Sequence, residues 1–494
     1  MEFLRMVRGG LAKLFLLSAA PVVVAAATPV QADTLREALA QAYLNNPTLL
    51  AARADQRAVD ENVAIERADG RPSVNATADY LEFLKPSSNS LTTPSRAVGA
   101  DIQLGVPLYT GGATRNAIRA AETRVEAGQA DLRGTESDLF TQVVAAYMDV
   151  IQNEAITALS LSNVDVLSVN LEATSDRFEI GDLTRTDVAQ SQSRLALARG
   201  DLRSAQSNLI GARERYIQLV GEAPTDLQPP PPLPNLPEDV NEAVDVALQS
   251  NPDVIAARER ARAAGIDIDV AGAGRLPRLE AFVNGGYDNY LGTLGGGVVV
   301  PGAVFEQEQT SATAGLRATV PLYNGGRVAA FERQAQARAA ATLEREIAVE
   351  RSVVQQVRAA FASWRAATSI VEETQVAVEA AELGLEGVRA ENSVGNRTVL
   401  DILNAQQELL NARVQLVTAR RNAYVAGFSL LAAMGRAEAR DLNLDVGGPL
   451  YDPDLNFERA AGSWWDWDRA ADPEVQSTST VDTTAQTGEI SPDM

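Results

Sequence analysis

With 65 Asp and Glu residues but no His and no Cys, carboxylates are the main groups left for acid–base chemistry in this 494-residue chain. A pair of them about 5 to 9 Å apart in a cleft would suit glycoside hydrolysis, but no compact domain is visible in the sequence to hold such a pair. The missing His and Cys exclude disulfides, thiolate or imidazole metal sites and every Ser-His-Asp triad. Lys13 and Lys85 are the lysines of the chain, and neither lies in the glycine-rich setting a phosphate loop needs. A net charge of −22 removes the basic face that nucleic-acid binding requires. The sequence therefore predicts no catalytic residue, no cofactor, no metal and no nucleic-acid partner: the protein is not an enzyme. Two glycine-led stretches still hold suggestive polar groups. They are Gly181-Asp182-Leu183-Thr184-Arg185-Thr186-Asp187 and Gly395-Asn396-Arg397-Thr398-Val399-Leu400-Asp401. Thr, Arg and Asp just after a glycine suit a chain reversal between helices, as caps and as partners for the helix dipole.

The elements around these stretches occur twice. Asn46-Pro47 returns as Asn251-Pro252, and Arg71-Pro72 as Leu276-Pro277. Val106-Pro107-Leu108-Tyr109-x-Gly111-Gly112 returns as Val320-Pro321-Leu322-Tyr323-x-Gly325-Gly326, with nine extra residues ahead of the second copy. The predicted organisation is a first unit over 33–227, a Pro-rich linker over 228–237 and a second unit over 238–445. Each unit opens with a helix, over 36–69 and 239–272. Strand pairs follow, over 72–84 with 97–108 and over 277–291 with 311–322. Long helices over 114–178 and 328–391 contain no Pro, and about 65 residues at 1.5 Å each give a rod of roughly 97 Å. Return helices cover 184–220 and 398–434. Seven-residue spacing in Ile118, Val125, Leu132 and Leu139, and in Ile402, Leu409 and Leu416, is the mark of coiled-coil packing. Pro107 with Gly111 and Gly112, and Pro321 with Gly325 and Gly326, mark the strand-to-helix junctions. A backbone bend explains these glycine pairs better than a phosphate site does.

The strands alternate strictly. Val74, Ala76, Ala78 and Tyr80 oppose Ser73, Asn75, Thr77 and Asp79, while Ala312, Ala314, Leu316, Ala318 and Val320 oppose Thr313, Gly315, Arg317 and Thr319. Alternation alone fits membrane-spanning strands and half-buried hairpins of a soluble sheet equally. Four strands cannot close a conducting barrel, so spanning would require several chains to share one. Arg5, Arg8 and Lys13 precede an apolar run to Ala27, and Val30-Gln31-Ala32 offers a cleavage site. Residues 1–32 thus read as a secretory signal peptide, and no Cys is present to take a lipid. Residues 446–494 form a C-terminal equatorial segment ending in an acidic, Ser/Thr-rich tail expected to be disordered from 469. Trp464, Trp465 and Trp467 there suit a membrane surface, a partner surface or packing at the equator.

The doubled unit, the P-L-Y-x-G-G junction and the G-x-x-T/R-T-D turn resemble the TolC family of outer-membrane efflux proteins. The resemblance implies an α+β membrane protein: a long antiparallel coiled-coil α-helical barrel continuous with a transmembrane β-barrel. It implies a homotrimer giving four strands per chain, seated in outer-membrane lipid. A periplasmic adaptor (membrane fusion) protein and an inner-membrane ABC or proton-driven pump are the implied partners, and the implied role is a passive exit duct for type I secretion or efflux. By the same resemblance Thr186, Asp187, Arg397 and Asp401 take gate positions at the periplasmic tip. Asn392 stands where relatives carry a gate tyrosine, and Asn404 where they carry a second ring acid. Gly181, Asp182, Gly395 and Asn396 form the turns where an adaptor would dock. Helix capping remains the plainer account of the same Thr and Asp residues. A soluble periplasmic scaffold or adaptor is the competing reading, since it needs the rods but no apolar sheet face.

Overall fold

The structure, a computed structural model, describes residues 34–85, 93–295 and 304–490. The leader expected over 1–32 lies outside these residues. The described chain runs α1 (Leu35–Asn45), α2 (Pro47–Ala68), β1 (Ser73–Glu82), β2 (Arg96–Tyr109), α3 (Ala113–Glu179) and α4 (Arg185–Val220). It continues through α5 (Val240–Ser250), α6 (Pro252–Gly272), β3 (Arg278–Asn289), β4 (Glu308–Thr319), α7 (Arg327–Ser393), α8 (Val399–Ala433) and α9 (Pro453–Gly462).

The single helix expected over 36–69 is two helices, and so is that over 239–272. A proline disfavours helical geometry in the residue before it, and Asn46 and Asn251 are extended, with ψ of 123° and 125°. Each Asn then caps the next helix. Asn46 Oδ1 accepts from Thr48 N at 2.9 Å, and Asn251 Oδ1 from Asp253 N at 2.9 Å. Their amides also tie the break to the far end of a return helix, donating to Leu219 O and Ala433 O, each at 2.9 Å.

The strands form one antiparallel sheet in the order β1-β2-β3-β4. Paired residues share a face, so the register sorts the side chains. Val74, Leu104, Val283 and Ala314 lie in one row, and Ala76, Ile102, Gly285 and Ala312 in the next. Val74, Tyr80, Ile102, Val283 and Leu316 on this apolar face are exposed. The other face carries Asn75, Gln103, Asn284 and Thr313, then Thr77, Asp101, Gly286 and Ser311, then Asp79, Gly99, Asp288 and Gln309. Phe282 breaks that polar face. It packs over Gly315, and Arg317 stacks 4.8 Å from its ring centre. Lys85 is exposed just past the outer end of β1.

The two P-L-Y motifs are not equivalent. Pro107, Leu108 and Tyr109 belong to β2, beyond the last residue paired with β1 and beside a register shift against β3; a proline without an N–H fits there. Val320, Pro321, Leu322 and Tyr323 lie past the end of β4. Both junctions then turn on glycines of positive φ, Gly112 at 84° and Gly326 at 79°, which cap α3 and α7. A side chain at Gly111 would come within 2.8 Å of Leu276 Cβ.

At 67 residues each, α3 and α7 reach about 100 Å. They fold back on α4 and α8, and the hairpins meet along α3 and α8 with α6 wedged between α3 and α7. The main core lies at the waist, where Phe140, Val143, Val144 and Tyr147 of α3 pack with Leu209 and Tyr216 of α4, Tyr43 of α1 and Phe428 of α8. Tyr147 Oη donates to Gln228 O at 2.6 Å and so fastens the Pro-rich linker. The C-terminal residues depart from expectation. α9 leaves the waist and packs along α2. The tail, expected to be disordered, lies along α4: Arg213 Nη1 donates to the carbonyls of Thr487 at 2.7 Å and Glu489 at 3.0 Å. Hydrogen bonds to main-chain carbonyls need no apolar side chains, so composition gave no warning of them.

Candidate functional site: the hairpin tip

The far ends of the two hairpins carry the polar residues singled out by spacing. In the first turn Gly181 has φ of 82°. Asp182 N donates to Arg177 O at 2.8 Å, and the Arg177 guanidinium holds the Asp182 carboxylate at 2.7 Å. Thr184 and Asp187 form a reciprocal cap on α4: Asp187 N donates to Thr184 Oγ1 at 3.3 Å and Thr184 N to Asp187 Oδ2 at 2.9 Å. Thr186 is exposed on the first turn of that helix. The second turn repeats the scheme. Gly395 has φ of 83°, Asn396 N donates to Glu391 O at 3.0 Å, and Thr398 with Asp401 caps α8 at 3.3 and 2.9 Å. Asn392 Nδ2 donates to Arg397 O at 2.6 Å, and Arg397 Nε donates to Glu391 Oε2 at 2.7 Å.

The electrostatics follow from these bonds. Donation from the Thr184 hydroxyl, then from its backbone N–H, holds the Asp187 carboxyl below its ordinary value. Asp401 is lowered by the backbone N–H of Thr398 and then by its hydroxyl, with Arg397 adding a smaller attraction. The Arg397 guanidinium is held charged by its bond to Glu391. All of these groups are water-exposed or nearly so, which keeps each pair weak on its own.

The structure thus brings Asn392, Arg397 and Asp401 together within the second turn, while Thr186 and Asp187 belong to the first. Side-chain links between the hairpins run through other residues. Arg194 of α4 donates to Asn404 Oδ1 at 2.8 Å, and Asn170 of α3 to Gln406 Oε1 at 3.0 Å. Farther from the tip, Gln152 meets Thr418 at 3.2 Å and Asp149 holds Arg421 at 2.8 Å. Leu403 is buried among Leu167, Leu195 and Ala198 of the first hairpin. Sequence reading found Asn404 but missed Arg194, Glu391 and Gln406. A buried glutamine at helical spacing between Leu403 and Leu409 was the available signal.

No helix among the described residues is long and apolar enough to cross a membrane. The outer membrane efflux protein family matches residues 38–222 and 243–436. Outer membrane efflux protein BepC of Brucella suis is 34% identical over 434 residues, covering 88% of this chain and 91% of that protein. Outer membrane protein TolC of Escherichia coli is 27% identical over 471 residues, covering 92% and 94%. Among solved structures, the outer membrane protein VceC from Vibrio cholerae superposes with a TM-score of 0.69 at 22% identity, over 81% of this chain and 96% of that one. With the family spread over both hairpins and BepC aligned along most of its length, the chain belongs to the outer membrane efflux protein family.

Proposed function

We propose that this chain is the outer-membrane exit duct of a tripartite efflux or type I secretion system, passing cargo from an inner-membrane pump and its periplasmic adaptor to the outside. One observation carries the reading: a four-stranded sheet with an exposed apolar face runs directly into helices about 100 Å long. Its outer strands β1 and β4 each have one edge without a strand partner among the described residues. Open edges are a liability unless another chain pairs with them, and closure into a barrel removes edges altogether. Three copies would supply twelve strands, the homotrimer implied by the resemblance. The rows with Asp79, Asp101 and Asp288 would then face the water-filled bore, and the apolar rows the lipid.

In this reading the leader over 1–32 exports the chain, no acyl group is attached, and the duct has no chemical step of its own. The hairpin tip is its gate. Arg397 bonded to Glu391, the capped Asp187 and Asp401, and the Arg194–Asn404 link between hairpins support that assignment. Thr186 and Asn392 stand beside them, and the exposed turns Gly181-Asp182 and Gly395-Asn396 are open to an adaptor. Purified protein in a planar bilayer tests the reading. Discrete cation-preferring conductance is expected, since carboxylates lining a wet bore favour cations. A chain that dissolves without detergent and never conducts would be a scaffold instead.

A further inference from the structure

Trp464, Trp465 and Trp467 do not pack at the waist. α9 climbs beside α2, step by step. Asn456 Nδ2 donates to Asp60 at 2.6 Å, Arg459 pairs with Glu61 at 2.9 Å, and Arg67 Nη1 donates to Ala461 O at 2.8 Å. The climb ends where Arg71 Nη1 donates to Ser463 O at 2.5 Å and the Arg71 guanidinium lies 4.5 Å from the Trp464 ring centre. Arg71 is two residues ahead of β1, so the three indoles emerge at the foot of the sheet. They are 64%, 69% and 85% exposed.

The chain then goes straight back. Thr478 already lies against Gly221 at the waist. The 22-residue α2 spans about 33 Å, and the eleven residues from Trp467 to Thr478 reach only about 36 to 40 Å when fully extended. The excursion has almost no slack, and the tryptophans are its apex. Two more exposed aromatic residues share the level: Tyr109 ends β2, and Tyr323 lies four residues past β4. Indole and phenol rings, apolar in body and polar at one edge, collect where hydrocarbon meets headgroups, and spanning barrels carry a girdle of them there. Asp466 and Asp468 interleave with the tryptophans, which fits a zwitterionic surface and opposes an anionic one.

We propose that Trp464, Trp465 and Trp467 seat this chain on the zwitterionic phospholipid interface at the foot of its strands, a membrane contact separate from the barrel wall. The proposal rests on the reading of the sheet as membrane-spanning. Trp364 is the fourth tryptophan of the chain and packs beside Phe361 near the waist. The full-length Trp364→Phe protein, or the wild type if that variant folds poorly, is reconstituted in phosphatidylcholine vesicles brominated either next to the headgroup or at the chain ends. Headgroup-level bromine should quench the emission by about half and chain-end bromine much less, as interfacial indoles require. Added phosphatidylserine should not deepen the quenching. Emission unchanged by either lipid overturns the proposal, and emission already blue-shifted in detergent and unquenched in vesicles assigns the cluster to a contact between copies. Conductance of the same vesicles separates the two readings: conducting but unquenched protein overturns the anchor alone, and protein that neither conducts nor enters vesicles overturns the duct with it.

Discussion

Asn46 and Asn251 each do two jobs, capping one helix and holding the last carbonyls of another. Replacing Asn46 with Ala removes a cap worth about 1 kcal/mol and strands the buried Leu219 carbonyl at about 1 to 3 kcal/mol. The expected loss is about 2 to 4 kcal/mol in chemical denaturation. Titration behaves differently at the tip and at the waist. Asp187 and Asp401 titrate below their unfolded value of about 3.9. Their stabilisation is complete above that value and is lost as pH falls through the lower folded one. The protection factors of the tip-turn amides should therefore stay constant from about pH 7 to pH 5 and fall only below about pH 4. Glu136 is the reverse case. Burial raises its carboxyl, although Ala439 N donates to it at 2.6 Å. The penalty for its charge is full above the folded value and fades as pH falls towards the unfolded one. Glu136→Gln keeps an acceptor for Ala439, so it should raise the melting temperature at neutral pH, by an amount that shrinks on acidification.

In the proposed duct, the hairpins are where residues would become a gate. Arg194→Ala cuts a bond between the two hairpins, and Arg397→Ser frees the second turn from Glu391. Each should raise single-channel conductance, and an unchanged value removes that arginine from the gate. Much of this scale could be read from the chain. Alternation at Val74–Tyr80 and Ala312–Ala318 sits in strands, and the seven-residue columns at Val125, Leu132 and Leu139 are buried. Those patterns are periodic, and period is what burial on one face imposes. The break at Asn46 was signalled by Pro47 and overlooked, because the flanking composition stays helical. Arg194–Asn404 could not be read at all: it joins exposed polar residues 210 positions apart, and no local pattern ties them. Thr186 and Asp187 were legible as helix-start chemistry, whereas their place in a gate came from resemblance.

Across the whole molecule the helices are unequally covered. α3 buries twenty residues and α7 five, so α7, although packed on α8 and α6, keeps much of its surface uncovered within one chain. Leu343, Ile347, Val376 and Leu383 stand exposed along it, an apolar strip that a neighbouring copy would cover in the proposed trimer. Leu383→Asp should weaken that assembly, which native mass spectrometry in detergent would register as a shift from trimer towards monomer. An unchanged mass would place the strip outside the contact between copies.

The near-total reliance on arginine leaves Lys85 as the one lysine beyond residues 1–32, and the fold sets it at the far end of the first strand from the helices. An amine-reactive dye unable to enter cells should therefore brand the internal chain at a single spot, on the outer face of living bacteria. No branding of Lys85 until the envelope is broken would mean the sheet faces the opposite way.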